Sequence, residues 1–63
     1  MTAEQMFLEK GFVKSVNDTE IAFTKGDDFI KFSKVDYSYW HNLNDVTDLK
    51  LAIYEQMKEL GWV

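Results

Sequence analysis

The amino-acid sequence predicts a small α+β domain in which two helices bracket an antiparallel sheet. Three observations support this prediction. Gly11 and Gly61 each follow an apolar segment with helical spacing, one near each end of the chain. Residues 12–40 instead alternate with a period of two and are rich in β-branched and aromatic side chains. The segments between the predicted strands are short, and short connections favour antiparallel neighbours.

The first helix is predicted over residues 3–10. Thr2 and Gln5 are spaced as a capping box, in which each side chain accepts a hydrogen bond from the backbone N–H of the other residue. One apolar stripe with i, i+3, i+4 spacing is formed by Ala3, Met6 and Phe7. Because a helix this short is not stable alone, we expect it to be docked on the rest of the domain.

Both predicted helices end at a glycine, which adopts the left-handed backbone conformation without a Cβ clash. The residue that follows the glycine can then fold back over the last helical turn. The contacts predicted in this way are Phe7 with Phe12 and Met57 with Trp62.

Period-two alternation predicts strands over residues 12–16, 20–25 and 29–33, joined by polar turns. The sequence leaves open whether residues 37–40 add a fourth strand, with Tyr37 and Tyr39 on one face. Both helices are expected on the same sheet face, against Ile21, Phe23, Ile30 and Phe32. The predicted order is therefore α-β-β-β-(β)-α, with an antiparallel meander sheet, in a single domain of residues 1–63.

The second helix has the strongest periodic signal in the chain. Thr47 is predicted to cap it, and Asp48 and Lys58 lie near the ends where their charges suit the helix dipole. Its apolar stripe consists of Leu49, Ala52, Ile53, Met57 and Leu60. Leu51 and Tyr54 fall outside the stripe and are expected at the rim of the core rather than in a separate contact surface.

The composition limits both the core and the partners. The chain is 16% aromatic and has no cysteine and one histidine, so packed rings must hold the fold without disulfides or a structural metal. A formal net charge of −4 and the absence of arginine disfavour nucleic acid as a partner. No apolar run reaches the roughly 18 residues of a membrane span, and no signal peptide is recognisable. We therefore expect a cytoplasmic protein that does not bind membranes.

Residue types that carry catalysis or metal binding form no recognisable constellation. His41 has no cysteine partner and no serine in a nucleophile turn. The glycines are too far apart for a phosphate-binding loop. The polar segment 42–48 lacks the glycine of a calcium-binding loop, and turn formation and capping explain its residues. We expect no enzymatic activity, no cofactor and no metal.

With both helices on one sheet face, the opposite face is predicted to be open. Its apolar positions are interleaved with polar ones, and two of them are large rings. The residues predicted to bind a partner there are Val13, Ala22, Phe29, Lys31 and Trp40. The alternative is that a helix or the twist of the strands covers one of the two rings.

Three segments carry a resemblance to a known group of proteins. They are Thr2-Ala3-Glu4-Gln5-Met6-Phe7 with Gly11-Phe12, then Ile30-Lys31-Phe32, and finally Leu49, Ala52-Ile53, Gln56-Met57 and Glu59-Leu60-Gly61-Trp62. Through them the chain resembles small uncharacterised proteins encoded by phages and prophages of low-GC Gram-positive bacteria. The resemblance implies an accessory protein of a mobile element, in the cytoplasm of the host cell, that binds a host or phage protein.

The leading functional hypothesis is a non-enzymatic protein-binding module that uses the open sheet face. A second copy of the chain is one candidate partner. Two alternatives stay open: a nucleic-acid-binding accessory protein that uses the lysines of the strands, and an inhibitor of a host defence or metabolic enzyme.

Overall fold

The four strands form one open antiparallel sheet with the meander order β1-β2-β3-β4, and the helices precede and follow it. The computed structural model describes residues 1–63. Its elements are α1 (Ala3–Glu9), β1 (Val13–Val16), β2 (Glu20–Lys25), β3 (Asp28–Ser33), β4 (Tyr39–His41), a 3₁₀ turn (Thr47–Leu49) and α2 (Lys50–Glu59). The predicted α+β fold is confirmed, and a fourth strand is present.

The predicted start and end of α1 are both confirmed. Gln5 Oε1 accepts a hydrogen bond from the Thr2 N–H at 2.8 Å, and Thr2 Oγ1 accepts one from the Gln5 N–H at 3.2 Å. Gly11 has φ +92°, and the Phe12 N–H donates to the Phe7 carbonyl at 3.0 Å. The rings of Phe7 and Phe12 meet edge to face, with centroids 5.9 Å apart.

The end of α2 uses the same backbone geometry but a different set of ring contacts. Gly61 has φ +81°, and the Trp62 N–H donates to the Met57 carbonyl at 2.9 Å. The indole ring lies 6.2 Å from the Phe32 ring and 6.0 Å from the Tyr37 ring, measured between centroids. Trp62 therefore joins the C-terminal end of the chain to the sheet.

The core lies between the helices and one face of the sheet. Phe7 of α1 stacks on Phe23 of β2 with ring centroids 4.0 Å apart, and Phe32 of β3 meets both rings edge to face at 6.4 and 6.2 Å. Both helices pack on this face, as predicted. The buried apolar residues are Ala3, Phe7, Phe12, Ile21, Phe23, Ile30, Phe32, Leu49, Ala52 and Ile53.

The fourth strand begins two residues later than the sequence suggested. Tyr37 lies in a bend before β4 and is 82% exposed. Asp36 and Ser33 hold this bend, because Asp36 Oδ1 accepts hydrogen bonds from the Ser38 N–H and hydroxyl and Ser33 Oγ accepts two from backbone N–H groups. The prediction that Tyr37 and Tyr39 share one strand is therefore wrong.

The prediction that Thr47 caps the second helix is also wrong. The Thr47 hydroxyl and N–H both donate to Asp45 Oδ1, at 2.6 and 2.9 Å, so the hydroxyl serves the preceding turn. One 3₁₀ turn follows, and α2 begins at Lys50 with no side-chain cap. The backbone donors that a cap would use bond to carbonyl groups instead, because the Leu49 N–H donates to the Val46 carbonyl at 2.9 Å and the Lys50 N–H donates to the Thr47 carbonyl.

The outer and inner faces of α2 differ from the prediction at three positions. Leu51 and Tyr54 were expected at the rim of the core, but they are 78% and 53% exposed. Gln56, which the apolar stripe omits, is 1% exposed, and its Oε1 has no hydrogen-bond partner. The stripe therefore includes a buried polar group, which costs stability.

Replacing Phe7 with alanine should leave the chain largely unfolded. Removing a buried phenylalanine costs about 3–5 kcal/mol, and a domain of this size is stable by only about 3–5 kcal/mol. Leu8→Ala is the matched control, because Leu8 is the next residue in α1 and is 61% exposed; its effect should stay within about 0.5 kcal/mol. Urea unfolding followed by circular dichroism measures both, and equal midpoints would contradict the packing described.

Gln56→Met should raise the free energy of unfolding by about 1 kcal/mol. The substitution keeps the length of the side chain and removes the buried oxygen that lacks a partner. Gln56→Glu has the same shape as the wild type but buries a carboxyl group, so it should destabilise the protein. Thermal unfolding at neutral pH orders the three proteins, and a less stable Gln56→Met protein would show that Oε1 is satisfied.

Candidate protein-binding face of the sheet

The strand register places all five predicted partner-binding residues on the sheet face opposite the helices. Directly paired residues of antiparallel strands share a face, and so do residues two apart in one strand. One row across the sheet is Val13, Thr24 and Phe29. The next row is Ser15, Ala22, Lys31 and Trp40.

Neither helix covers this face, but its residues are not equally accessible. Val13 on β1 is 62% exposed and Trp40 on β4 is 42% exposed. Phe29 and Ala22, on the central strands, are half-buried. The open face therefore has an apolar residue at each side of the sheet and a partly accessible ring between them.

Lys31 occupies the middle of the open face and makes two interactions there. Its Nζ lies 5.2 Å from the centroid of the Phe29 ring, a cation–π distance. The same atom lies 3.9 Å from Glu20 Oε1. The Lys31 side chain thus covers part of Phe29, and Glu20 balances its charge.

The remaining lysines of the strands and turns do not join Lys31 on this face. Lys14 pairs with Phe23 in the register, so it lies on the helix side, where its Nζ is 3.9 Å from Glu4 Oε1. Lys34 donates to the backbone carbonyl of Asn17 at 3.0 Å. The lysines of the first half of the chain therefore form no continuous basic row.

The polar loop that follows β4 is held by hydrogen bonds within the protein. Asn42 accepts from the Phe29 N–H at 2.9 Å and donates to the Asp27 carbonyl at 2.8 Å. The Thr47 hydroxyl, followed by the Thr47 N–H, lowers the pKa of Asp45 from its ordinary value. No group of three or more His, Cys, Asp or Glu side chains is arranged to hold a metal ion.

An aromatic strip on the helix side of β4 is the feature that the sequence did not predict as a surface. Tyr39 stacks on Phe32 with centroids 5.5 Å apart, and its ring lies 6.1 Å from that of His41. Nearby, Tyr37 and Trp62 line a cleft of about 390 Å³. The alternate spacing of Tyr39 and His41 in the sequence indicates that their side chains share one face. Trp62 is far from them in the sequence and comes close to the strip only when the chain folds.

Neither helix of the protein is both long enough and apolar enough to cross a bilayer.

Protonation of Asp36, which lies in the bend before β4, should make the protein less stable in acid. Hydrogen bonds from the Ser38 hydroxyl, the Ser38 N–H and Ser33 lower the pKa of Asp36 below its ordinary value of 3.8. The folded state then binds fewer protons than the unfolded state, so this contribution is present above pH 3.8 and is lost as the pH falls through the lowered pKa.

The measurement is urea unfolding of the wild type and of Asp36→Asn at pH 7 and at pH 2.5. The wild type should be the more stable protein at pH 7, and the difference should shrink at the lower pH because the variant cannot lose a carboxylate there. A difference that stays constant with pH would show that the Asp36 charge does not stabilise the bend.

Comparison with protein-family models, curated proteins and solved structures gave no match to this chain, so the geometry of the sheet carries the functional argument.

Proposed function

We propose that the chain is a non-enzymatic accessory protein of a phage or prophage that binds another protein through the open face of its sheet. The observation that carries this proposal is the set of apolar residues around Lys31 that neither helix covers. Lys31 pairs directly with Trp40 in the register and is two residues from Phe29 on β3. An exposed tryptophan next to a partly accessible phenylalanine in one patch is typical of an interface centre.

The chemistry of this patch suits a protein partner. Tryptophan buries a large area at small entropic cost, and interfaces are enriched in aromatic residues at their centre. Lys31 and its partner Glu20 offer one charge of each sign beside the rings. A standard interface of about 800 Å² per partner would cover about a fifth of the 4230 Å² accessible surface.

The phage or prophage context of the proposal rests on the sequence resemblance. The non-enzymatic assignment rests on the absence of an acid, base and nucleophile constellation in the sequence. An inhibitor of a host defence or metabolic enzyme is one form of the same function, with the enzyme as the bound protein. The scattered positions of the lysines give no specific support to a nucleic-acid-binding function.

The proposal predicts that Phe29→Ser reduces the capture of a partner protein. The test is affinity capture from a lysate of a low-GC Gram-positive host, with wild type, Phe29→Ser and Trp40→Ala as baits, and with quantitative mass spectrometry as the readout. Truncating an interface hot spot costs about 2 kcal/mol or more, so a specific partner should fall by about 30-fold.

Leu51→Ser is the matched control, because Leu51 is exposed on α2 and lies in the other layer of the domain. It should retain the partner. A partner that all four baits capture equally, or one that only Leu51→Ser loses, would exclude the open face as the binding surface.

A further inference from the structure

The strand β4 leaves hydrogen-bonding backbone groups free at the edge of the sheet. The Ser33 N–H donates to the Ser38 carbonyl at 2.9 Å, and the Asn42 N–H donates to the Phe29 carbonyl at 3.3 Å. Hydrogen-bonded pairs recur at every second position of an antiparallel ladder, so Trp40 directs its backbone groups toward β3. Tyr39 and His41 therefore direct their N–H and C=O groups outward.

The two edges of the sheet differ in how they are protected. At the β1 edge, Lys14 points to the helix side and places a charge beside the strand, 3.9 Å from Glu4. An inward-pointing charge on an edge strand opposes pairing with another strand. The β4 edge has no such residue, because residues 37–44 contain no aspartate, glutamate, lysine or arginine.

We propose that two copies of the chain pair through β4, antiparallel, about a two-fold axis at Trp40. Tyr39 of each copy then exchanges two backbone hydrogen bonds with His41 of the other copy. Trp40 faces Trp40 of the second copy as a non-hydrogen-bonded pair, with Cα atoms about 4.5 Å apart. The result is one sheet of twice the width.

Charge favours this occupant despite the net charge of −4 on each chain. The residues of β4 and its neighbours, 37–44, include no aspartate, glutamate, lysine or arginine. The two copies therefore meet along an uncharged segment, where like charges would otherwise repel.

The side chains at the axis gain contacts on both faces of the sheet. Each Trp40 is 42% exposed, and the two indoles would shield each other on the open face. Tyr39 and His41, already 6.1 Å apart within one chain, would meet their counterparts across the axis on the helix side. The inference rests on the proposed function, because Trp40 belongs to the open face and a second copy of the chain is one of the protein partners of that face.

The chain offers a direct test because it has no cysteine. Trp40→Cys introduces a single thiol at the axis, where a Cα separation of about 4.5 Å permits a disulfide. Thr24→Cys is the control, since Thr24 is exposed on the same face but lies on the second strand from the β1 edge. After mild oxidation, Trp40→Cys should form a covalent dimer on a non-reducing gel, and Thr24→Cys should stay monomeric.

The Trp40→Cys substitution also removes the indole, whose loss weakens any pairing that it supports. Sedimentation equilibrium of the unmodified chain therefore gives a second test of the dimer. The mass should rise with concentration from 7.4 kDa toward twice that value. His41→Pro removes an outward N–H and should keep the protein monomeric, whereas Val16→Pro at the β1 edge should still dimerise. Circular dichroism verifies that both variants are folded.

Three results would overturn the β4 dimer: a wild-type monomer at the highest concentration, equal cross-linking of the two cysteine variants, or a dimer that His41→Pro leaves intact. None of them affects the Phe29-dependent capture of a different protein. Conversely, cross-linking of Trp40→Cys with no Phe29-dependent capture would overturn binding of other proteins through the open face and leave the dimer standing.

Discussion

The stacking of Phe7 on Phe23 is the contact on which the rest of the structure depends. It joins α1, which has seven residues, to the middle of the sheet with ring centroids 4.0 Å apart. A helix of that length is not stable alone, and the chain has no cysteine with which to fasten it. Phe32 meets both rings and extends the cluster to β3 and to Trp62. One aromatic cluster thus connects both ends of the chain to the sheet.

The same cluster explains why the opposite face and the β4 edge of the sheet are left uncovered. A domain of this size has enough side chains for one core, and that core uses only one face of the sheet. Trp40, at the corner where the open face meets the unprotected edge, belongs to both surfaces. Lys14 distinguishes the β1 edge from this corner, because its charge lies beside the strand. The proposed functions therefore follow from the parts of the sheet that folding leaves unused.

Local sequence signals predicted most of the elements and failed where an aspartate in a turn accepts hydrogen bonds from the hydroxyl residue two positions later. The capping pair Thr2 and Gln5 forms as predicted. Thr47 does not cap α2: its hydroxyl and N–H donate to Asp45, and the N–H groups that a cap would accept from bond to backbone carbonyls. Asp36 delays β4 in a similar way. Whether such local hydrogen bonds form depends on the geometry of each turn, which residue spacing does not specify.

The sequence by itself determined the alternation that puts the five partner-binding candidates on one face, together with the helical stripes and the two glycine ends. These features are local, since each arises from the 3.6-residue or two-residue repeat of a single segment. Only the tertiary structure decided that Lys31 lies beside Glu20, that Trp62 lies against Tyr37, and that the lysines point in different directions. It also decided that residues 39–41 form a fourth strand at the edge of the sheet. The physical reason is that these arrangements require contacts between residues far apart in the chain, which form only when the helices close over one face of the sheet.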